Sequence, residues 1–231
     1  MRRTIALLTA VGLMVPLAAH ALNEKVWLML GGGGSKYDMS ELNAEISSYN
    51  AANPGSPQFP LVKDGTSLSA AVGVQTTGPW CFGLGLDRLR APSKAGDANG
   101  SLDYRFTANA WHAFGDYSFH SMGQSSLFVG AAVGILAESG KLIESVPGQG
   151  PVEYHLNGSN PLYEAHAGAN WWVSERFAMV VSGGYRYARL KSVNMEGGTF
   201  ITANGEALPV DYSGPYVRLG IKLAGGTDLR L

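Results

Sequence analysis

The sequence predicts an all-β fold, an eight-stranded antiparallel up-and-down transmembrane β-barrel with a short helix in its first extracellular loop. Three observations predict it. Eight segments alternate residue by residue between apolar and small or polar side chains, as in a strand that shows one face to lipid and the other to a polar interior. Long polar connections alternate with mostly tight turns, so the long ones all fall at one end of an up-and-down sheet. The chain opens on Arg2 and Arg3, an apolar stretch from Ile5 to Leu17, and then Ala19, His20 and Ala21, which reads as a secretory signal cleaved after Ala21.

This reading assigns residues 1–21 to a signal peptide and 22–231 to one barrel domain. No cysteine follows the cleavage site, against a lipid anchor, and the apolar stretch is too short for a permanent membrane helix. The expected destination is the outer membrane of a Gram-negative bacterium, with long loops extracellular and tight turns periplasmic. Only 15% of residues are charged and mean hydropathy is near zero, because a barrel turns only alternate residues to lipid. A net charge of −1 offers nothing to nucleic acid. Cys81 is the single cysteine, which excludes an internal disulfide, a thiol redox pair and a cysteine-based metal cluster.

The first strand is read from Lys25 to about Gly34, before a long loop to about Asp64. The second, Thr66 to Gln75, turns Leu68, Ala70, Val72 and Val74 outward and ends in the short turn Thr76 to Pro79. The third, Trp80 to Arg90, sets Trp80, Phe82, Leu84 and Leu86 against Cys81, Gly83, Gly85 and Asp87, and a polar loop covers Ala91 to Leu102. The fourth begins near Asp103 with Tyr104, Phe106, Ala108 and Ala110 outward, opposed to Arg105, Thr107 and Asn109. A bulge at Gly115 and Asp116 is expected there, because Phe114 falls in one register and Tyr117 and Phe119 in the other.

The fifth strand, Ser126 to Glu138, alternates Leu127, Val129, Ala131, Val133 and Ile135 with Gly130, Ala132 and Gly134, and a loop follows from Ser139 to Asn160. The sixth, Pro161 to Val173, carries Tyr163, Ala165, Ala167, Ala169 and Trp171 outward and Glu164, His166, Gly168 and Asn170 inward. A tight turn at Ser174 and Glu175 leads to the seventh, where Phe177, Met179, Val181, Tyr185 and Tyr187 oppose Ala178, Ser182, Gly184 and Arg186. After a loop from Lys191 to Ser213, the eighth strand turns Val217, Leu219, Ile221 and Leu223 to one face and Tyr216, Arg218, Gly220 and Lys222 to the other.

A soluble lipocalin is also an eight-stranded barrel, but with its apolar face inside. Aromatic placement separates the two. Trp80, Phe114, Trp171 and Phe177 sit beside the predicted periplasmic turns, and Tyr104, Tyr163, Tyr185 and Tyr187 near the opposite ends, as two interfacial girdles. The glycine-rich polar faces suit a narrow interior. In this architecture the mature chain resembles the small eight-stranded outer-membrane families of the outer membrane protein A transmembrane domain and outer membrane protein X. Their barrels commonly end in a signal of the form polar-x-Gly-x-x-hydrophobic-x-hydrophobic. Arg218, Gly220 and Leu223 fit its first three positions, and Gly225 stands in the last. The resemblance implies recognition by the barrel-assembly machinery and a setting of outer-membrane lipid and lipopolysaccharide.

Chemistry is sparse. Gly31 to Gly34 with Ser35 and Lys36 lacks the Gly-Lys-Ser/Thr order of a phosphate loop and reads as a strand end. A lipid-modifying barrel needs Ser, His and an acid converging near lipid. His112 is read near the headgroups on the lipid side and His155 in a loop, while His166 shares a face with Glu164 and Ser182. An interior polar network explains the last three equally well. No catalytic, cofactor or metal site is therefore assigned, and the protein is expected to be non-catalytic, working through its extracellular loops or as a structural component. The alternatives are a narrow pore and a lipid-modifying enzyme. The sequence names no surface ligand.

The expected lumen network comprises Asp87, Arg105, Asn109, Glu164, His166, Asn170, Arg186, Arg218 and Lys222, since isolated charges there are costly unless paired. Partners sharing a face across the turn after the sixth strand have an even sum of residue numbers. A sum of 350 sets Glu164 opposite Arg186 and a sum of 348 leaves them diagonal. In the first loop, Asp38 and Glu41 read as a capping box ahead of Met39, Leu42, Ile46 and Tyr49. That apolar stripe predicts a helix from about Met39 to Asn50 packed on the barrel rim or mouth.

Overall fold

A computed structural model describes residues 25–55, 58–97, 100–122, 124–145, 150–195, 198–199 and 205–225; the predicted signal lies outside them. The strands are β1 (Lys25–Lys36), β2 (Asp64–Gln75), β3 (Trp80–Asp97), β4 (Gly100–Met122), β5 (Ser125–Glu138), β6 (Lys141–Ser145), β7 (Val152–Ser174), β8 (Phe177–Tyr187), the short β9 (Arg189–Leu190), β10 (Asn194–Met195), β11 (Gly198–Thr199) and β12 (Val210–Asp211), and β13 (Gly214–Gly225), with one helix, α1 (Ser40–Ala52), after β1. Eight of them close into a ring, β1-β2-β3-β4-β5-β7-β8-β13 and back to β1, every pair antiparallel. Closure satisfies the backbone of every stave and leaves no edge.

The outward face is an apolar band. Leu30, Leu68, Phe82, Val133, Ile135, Val217 and Leu219 are each more than half exposed there, and this exposure, continuous around the ring, reads as lipid contact. Inward positions are small wherever a ring must fit. Phe114 lies over Gly83 and Phe128 over Gly168, each its direct cross-strand partner, and a Cβ on either glycine would come within 2.5 Å of the ring.

Several strands run far past the band. β3 and β4 pair out to Asp97 and Gly100, so most of the segment expected as a polar loop from Ala91 to Leu102 is strand. After a break at Ser139 and Gly140, β6 prolongs β5 in the same register on β4, from Ala108↔Glu138 to Arg105↔Lys141, and also pairs with β7. These extensions are strands because they enclose something apolar: Leu89, Ala91, Ala95, Phe106, Leu142 and Leu156 all point inward and are buried.

The same fact corrects the fourth strand. Tyr104 and Phe114, expected in the outward girdles, face inward, as do Phe106, Ala108, Ala110 and His112, whereas Arg105, Thr107 and Asn109 face outward. Arg105 and Asn109 therefore do not belong to the lumen, and His112 is not on the lipid side. β4 keeps one facing throughout, but near the loop end its surroundings invert, with a covered interior within and water without. No bulge occurs at Gly115 and Asp116, which pair regularly with Phe82 and Cys81; the shift falls between Ser118 and His120, beside the turn. Phe114 and Tyr117 differ in face simply because their numbers differ in parity.

α1 lies across the loop-end mouth with Leu42 and Ile46 buried. Its expected capping box does not form. Met39 is the N-cap, without a side-chain cap, and Ser40 Oγ instead donates to Glu41 at 3.0 Å. The helix is held by its apolar stripe, of which Met39 is also buried and Tyr49 is exposed.

Candidate functional site

Strand alternation delivers the inward residues of β3, β7, β8 and β13 to one level of the lumen, where they form a charge knot. Arg186 donates through Nη2 to Asp87 Oδ2 at 2.7 Å and through Nε to Glu164 Oε2 at 3.1 Å. Arg218 Nη2 meets the same Asp87 oxygen at 2.7 Å, with Glu164 Oε1 3.7 Å away. Glu164 and Arg186 are directly opposite across β7 and β8. Tyr216 donates its hydroxyl to Glu164, and both guanidinium groups lie over its ring, at 4.9 and 5.1 Å. Two cations face two carboxylates, and Arg186 is 1% exposed. Such pairing is what makes buried charge tolerable, although Arg218 Nε is buried without a hydrogen-bond partner.

Towards the turns lies a cavity of about 40 Å³, lined in part by His112, Asp116, His166, Ser182 and Lys222. His166 Nε2 is 2.8 Å from Asp116 Oδ1, while its Nδ1 is 3.6 Å from Glu164, too far for a hydrogen bond. Asn170 donates to Ser126 Oγ at 3.2 Å. Lys222 Nζ sits 4.0 Å above the Trp27 ring, whose Nε1 donates to Cys81 Sγ at 3.2 Å. Trp27, Ala71, Cys81 and Ala224 then close the turn end with an apolar layer.

Towards the loops the filling is hydrocarbon. Met39 and, from α1, Leu42 and Ile46 join Phe59, Val62, Leu89, Phe106, Leu136, Leu162 and Val210 in one buried cluster. Two asparagines on α1 clamp the returning chain: Asn43 exchanges 2.8 Å bonds in both directions with Val62, and Asn50 does the same with Phe59 at 2.9 Å. Glu138 accepts from Tyr212 Oη at 2.8 Å and from the amides of Thr107 and Gly140. Burial pushes the Tyr212 phenol well above its usual range, so it stays a donor. Outside, Glu41 and Arg189 pair at 2.6 Å.

Of the residues the sequence assigns to the lumen, Asp87, Glu164, Arg186 and Arg218 come together in the knot, and His166, Asn170 and Lys222 lie below it. Arg105 instead pairs with Asp103 on the outside, and Asn109 with Ser139. Trp80, Trp171, Tyr163, Tyr185 and Tyr187 are outward and about half exposed, and Phe177 is outward and half-buried. His155 is outward on β7, 3.6 Å from Glu153. The sequence reading set Tyr216 on the inward face with Arg218 and Lys222 but left it out of the network. It also missed Asp116, hidden by the parity change expected at Gly115.

No family model and no curated protein matches the chain. Among solved structures, the outer membrane protein OprG from Pseudomonas aeruginosa superposes with a TM-score of 0.50 at 10% identity, covering 89% of this chain and 98% of that one. The chain folds as a small outer-membrane-type transmembrane β-barrel. Ail, the attachment invasion locus protein of Yersinia pestis, gives 0.49 at 13% identity over 88% of this chain and 100% of its own. Neisserial surface protein A gives 0.47 at 12%, over 87% and 95%. At such identities these likenesses concern the fold alone.

Proposed function

We propose that this is an integral outer-membrane protein of a Gram-negative bacterium, non-catalytic and closed to solutes, acting through its extracellular face or as a structural component of the membrane. The observation that carries the reading is the double closure of the lumen, by the Asp87–Glu164–Arg186–Arg218 knot and by α1 packed over it. The only His, Ser and acid grouping expected from the sequence, His166 with Ser182 and Glu164, lines an interior cavity of about 40 Å³ and has no outlet to lipid through the strands. Such a volume holds a few waters rather than an acyl chain. Export through a signal cleaved after Ala21, insertion by the barrel-assembly machinery and contact with lipopolysaccharide belong to the same proposal.

Planar-bilayer recording tests it. The unmodified barrel should show no steady conductance, and a large steady current would establish the narrow-pore reading instead. Acylation of lipid A should be the same with and without the protein; a change would establish the enzyme reading.

A further inference from the structure

The outward surface near the loop end differs from one flank to the other. On β7 and β8 it is aromatic, with Tyr163, Tyr185 and Tyr187 each more than half exposed. Across the ring, β3 and β4 turn Arg88, Arg90, Lys94 and Arg105 outward, all exposed. The one outward carboxylate on β3 and β4, Asp103, is taken by Arg105 at 2.8 Å; on β2 a second, Asp64, is exposed two residues past Thr66 and opposite Lys36 of β1, and no ion pair among the described residues includes Arg88, Arg90 or Lys94.

The register makes these residues one patch. Arg88 stands opposite Asn109 and Leu68, and Arg90 opposite Thr107 and Thr66. Residues two apart on one face are separated by about 7 Å, a span across which two flexible side chains can bring both guanidinium groups onto one phosphate. Directly below, on the same strands, Leu84, Leu86 and Trp111 continue the apolar band. Asn109 and Ser139, hydrogen-bonded at 3.3 Å, add amide and hydroxyl groups at its margin. Cations over sugar-type hydrogen-bonding groups, over hydrocarbon, are the complement of a phosphorylated saccharide carrying acyl chains.

We propose that the outward face of β2, β3 and β4 binds the phosphorylated headgroup of lipopolysaccharide in the outer leaflet, Arg88 and Arg90 holding phosphate and Leu68, Leu84, Leu86 and Trp111 packing on the acyl chains. The assignment rests on the outer-membrane reading above. Arginine suits this role because its planar fork pairs two phosphate oxygens at once, and the desolvated boundary of the headgroup layer strengthens each contact.

The test uses the full barrel, refolded and first checked for heat-modifiable mobility. Native mass spectrometry then counts lipid A retained by the unmodified protein, by Arg88→Gln/Arg90→Gln, and by Lys25→Gln/Arg176→Gln at the turn end as a charge-matched control. Retention should fall by about thirtyfold in the Arg88→Gln/Arg90→Gln variant and not in the control, as expected for two lost cationic contacts at about 1 kcal/mol each. Dephosphorylated lipid A should bind the unmodified protein as weakly as lipid A binds the Arg88→Gln/Arg90→Gln variant. Equal retention by all three proteins would overturn the proposal, as would equal retention of phosphatidylglycerol or displacement by inorganic phosphate, which would mark a general anion surface. Failure to insert at all would instead refute the outer-membrane reading.

Discussion

The two levels of the interior are filled on opposite principles. Beside the apolar band the lumen holds paired charge, and past the band it holds a hydrocarbon core under a helix. β4 passes through both without changing its facing. Its inward residues run from Asp116 and His112 to Ala110, Ala108 and Phe106, while its outward ones run from Tyr117 and Trp111 to Asn109, Thr107 and Arg105. What changes is the outside, from lipid to water. Where lipid takes the apolar face, polar residues are left within and must find one another; where water lies outside, the extension can fold as an ordinary soluble protein does.

The sharpest way to break this comparison is at the knot. Arg186→Met should leave two buried carboxylates, Asp87 and Glu164, with Arg218 as the one remaining cation of the knot, and destabilise the whole barrel by about 3–5 kcal/mol, because the excess buried charge is far costlier than the loss of one contact. Urea unfolding in detergent micelles measures it. Glu164→Gln, which keeps the shape, should cost about 1–3 kcal/mol, and a double-mutant cycle with Arg186→Gln should be strongly non-additive. Additive effects would mean that the charges are separately hydrated, and the lumen would then resemble the outside of the mouth.

At the mouth the effect should be local. Leu42→Ala removes a side chain that is 4% exposed, and should weaken helix docking by about 2–4 kcal/mol. Limited proteolysis between Tyr37 and Lys63 should accelerate while the unfolding midpoint of the barrel stays put. Loss of barrel stability in step with the loop would show that the two levels form one cooperative unit.

This division also explains what the sequence made legible. Strand count, ring order and the inward charges of β3, β7, β8 and β13 follow from alternation, since register must hold wherever one face meets lipid. The knot's geometry was readable at Glu164 and Arg186, which a tight turn connects, but not at Asp87, which enters from across the ring. Alternation carries no sign, however: Tyr104, Phe106, Ala108 and Ala110 look the same whether they meet lipid or a core. The sign is set by whether something covers the inner face. That depends on α1, whose stripe was visible at Leu42 and Ile46 while its docking partners, Phe59, Val62 and Val210, lie in segments without periodicity.

The smallest effect belongs to the pair that ties α1 to the barrel from outside. Glu41 and Arg189 side chains are 40% and 39% exposed, so solvent screens them and their coupling should amount to about 0.2–1 kcal/mol. A hydrogen bond from its own backbone amide, aided by Ser40 and Arg189, holds the Glu41 carboxyl below the usual carboxylate range. A depressed folded-state value stabilises the docked helix above the unfolded value, near about 4.3, and that contribution is lost as pH falls through the folded one. Glu41→Gln should therefore raise cleavage of the first loop slightly at pH 7, and the difference from the unmodified protein should shrink as the pH falls below the usual carboxylate range and in 1 M salt, where screening is nearly complete. The Arg186→Met penalty, set in a dry interior, should survive the salt. If both penalties fade together, the knot is as wet as the rim, and the contrast between the two levels is one of composition alone.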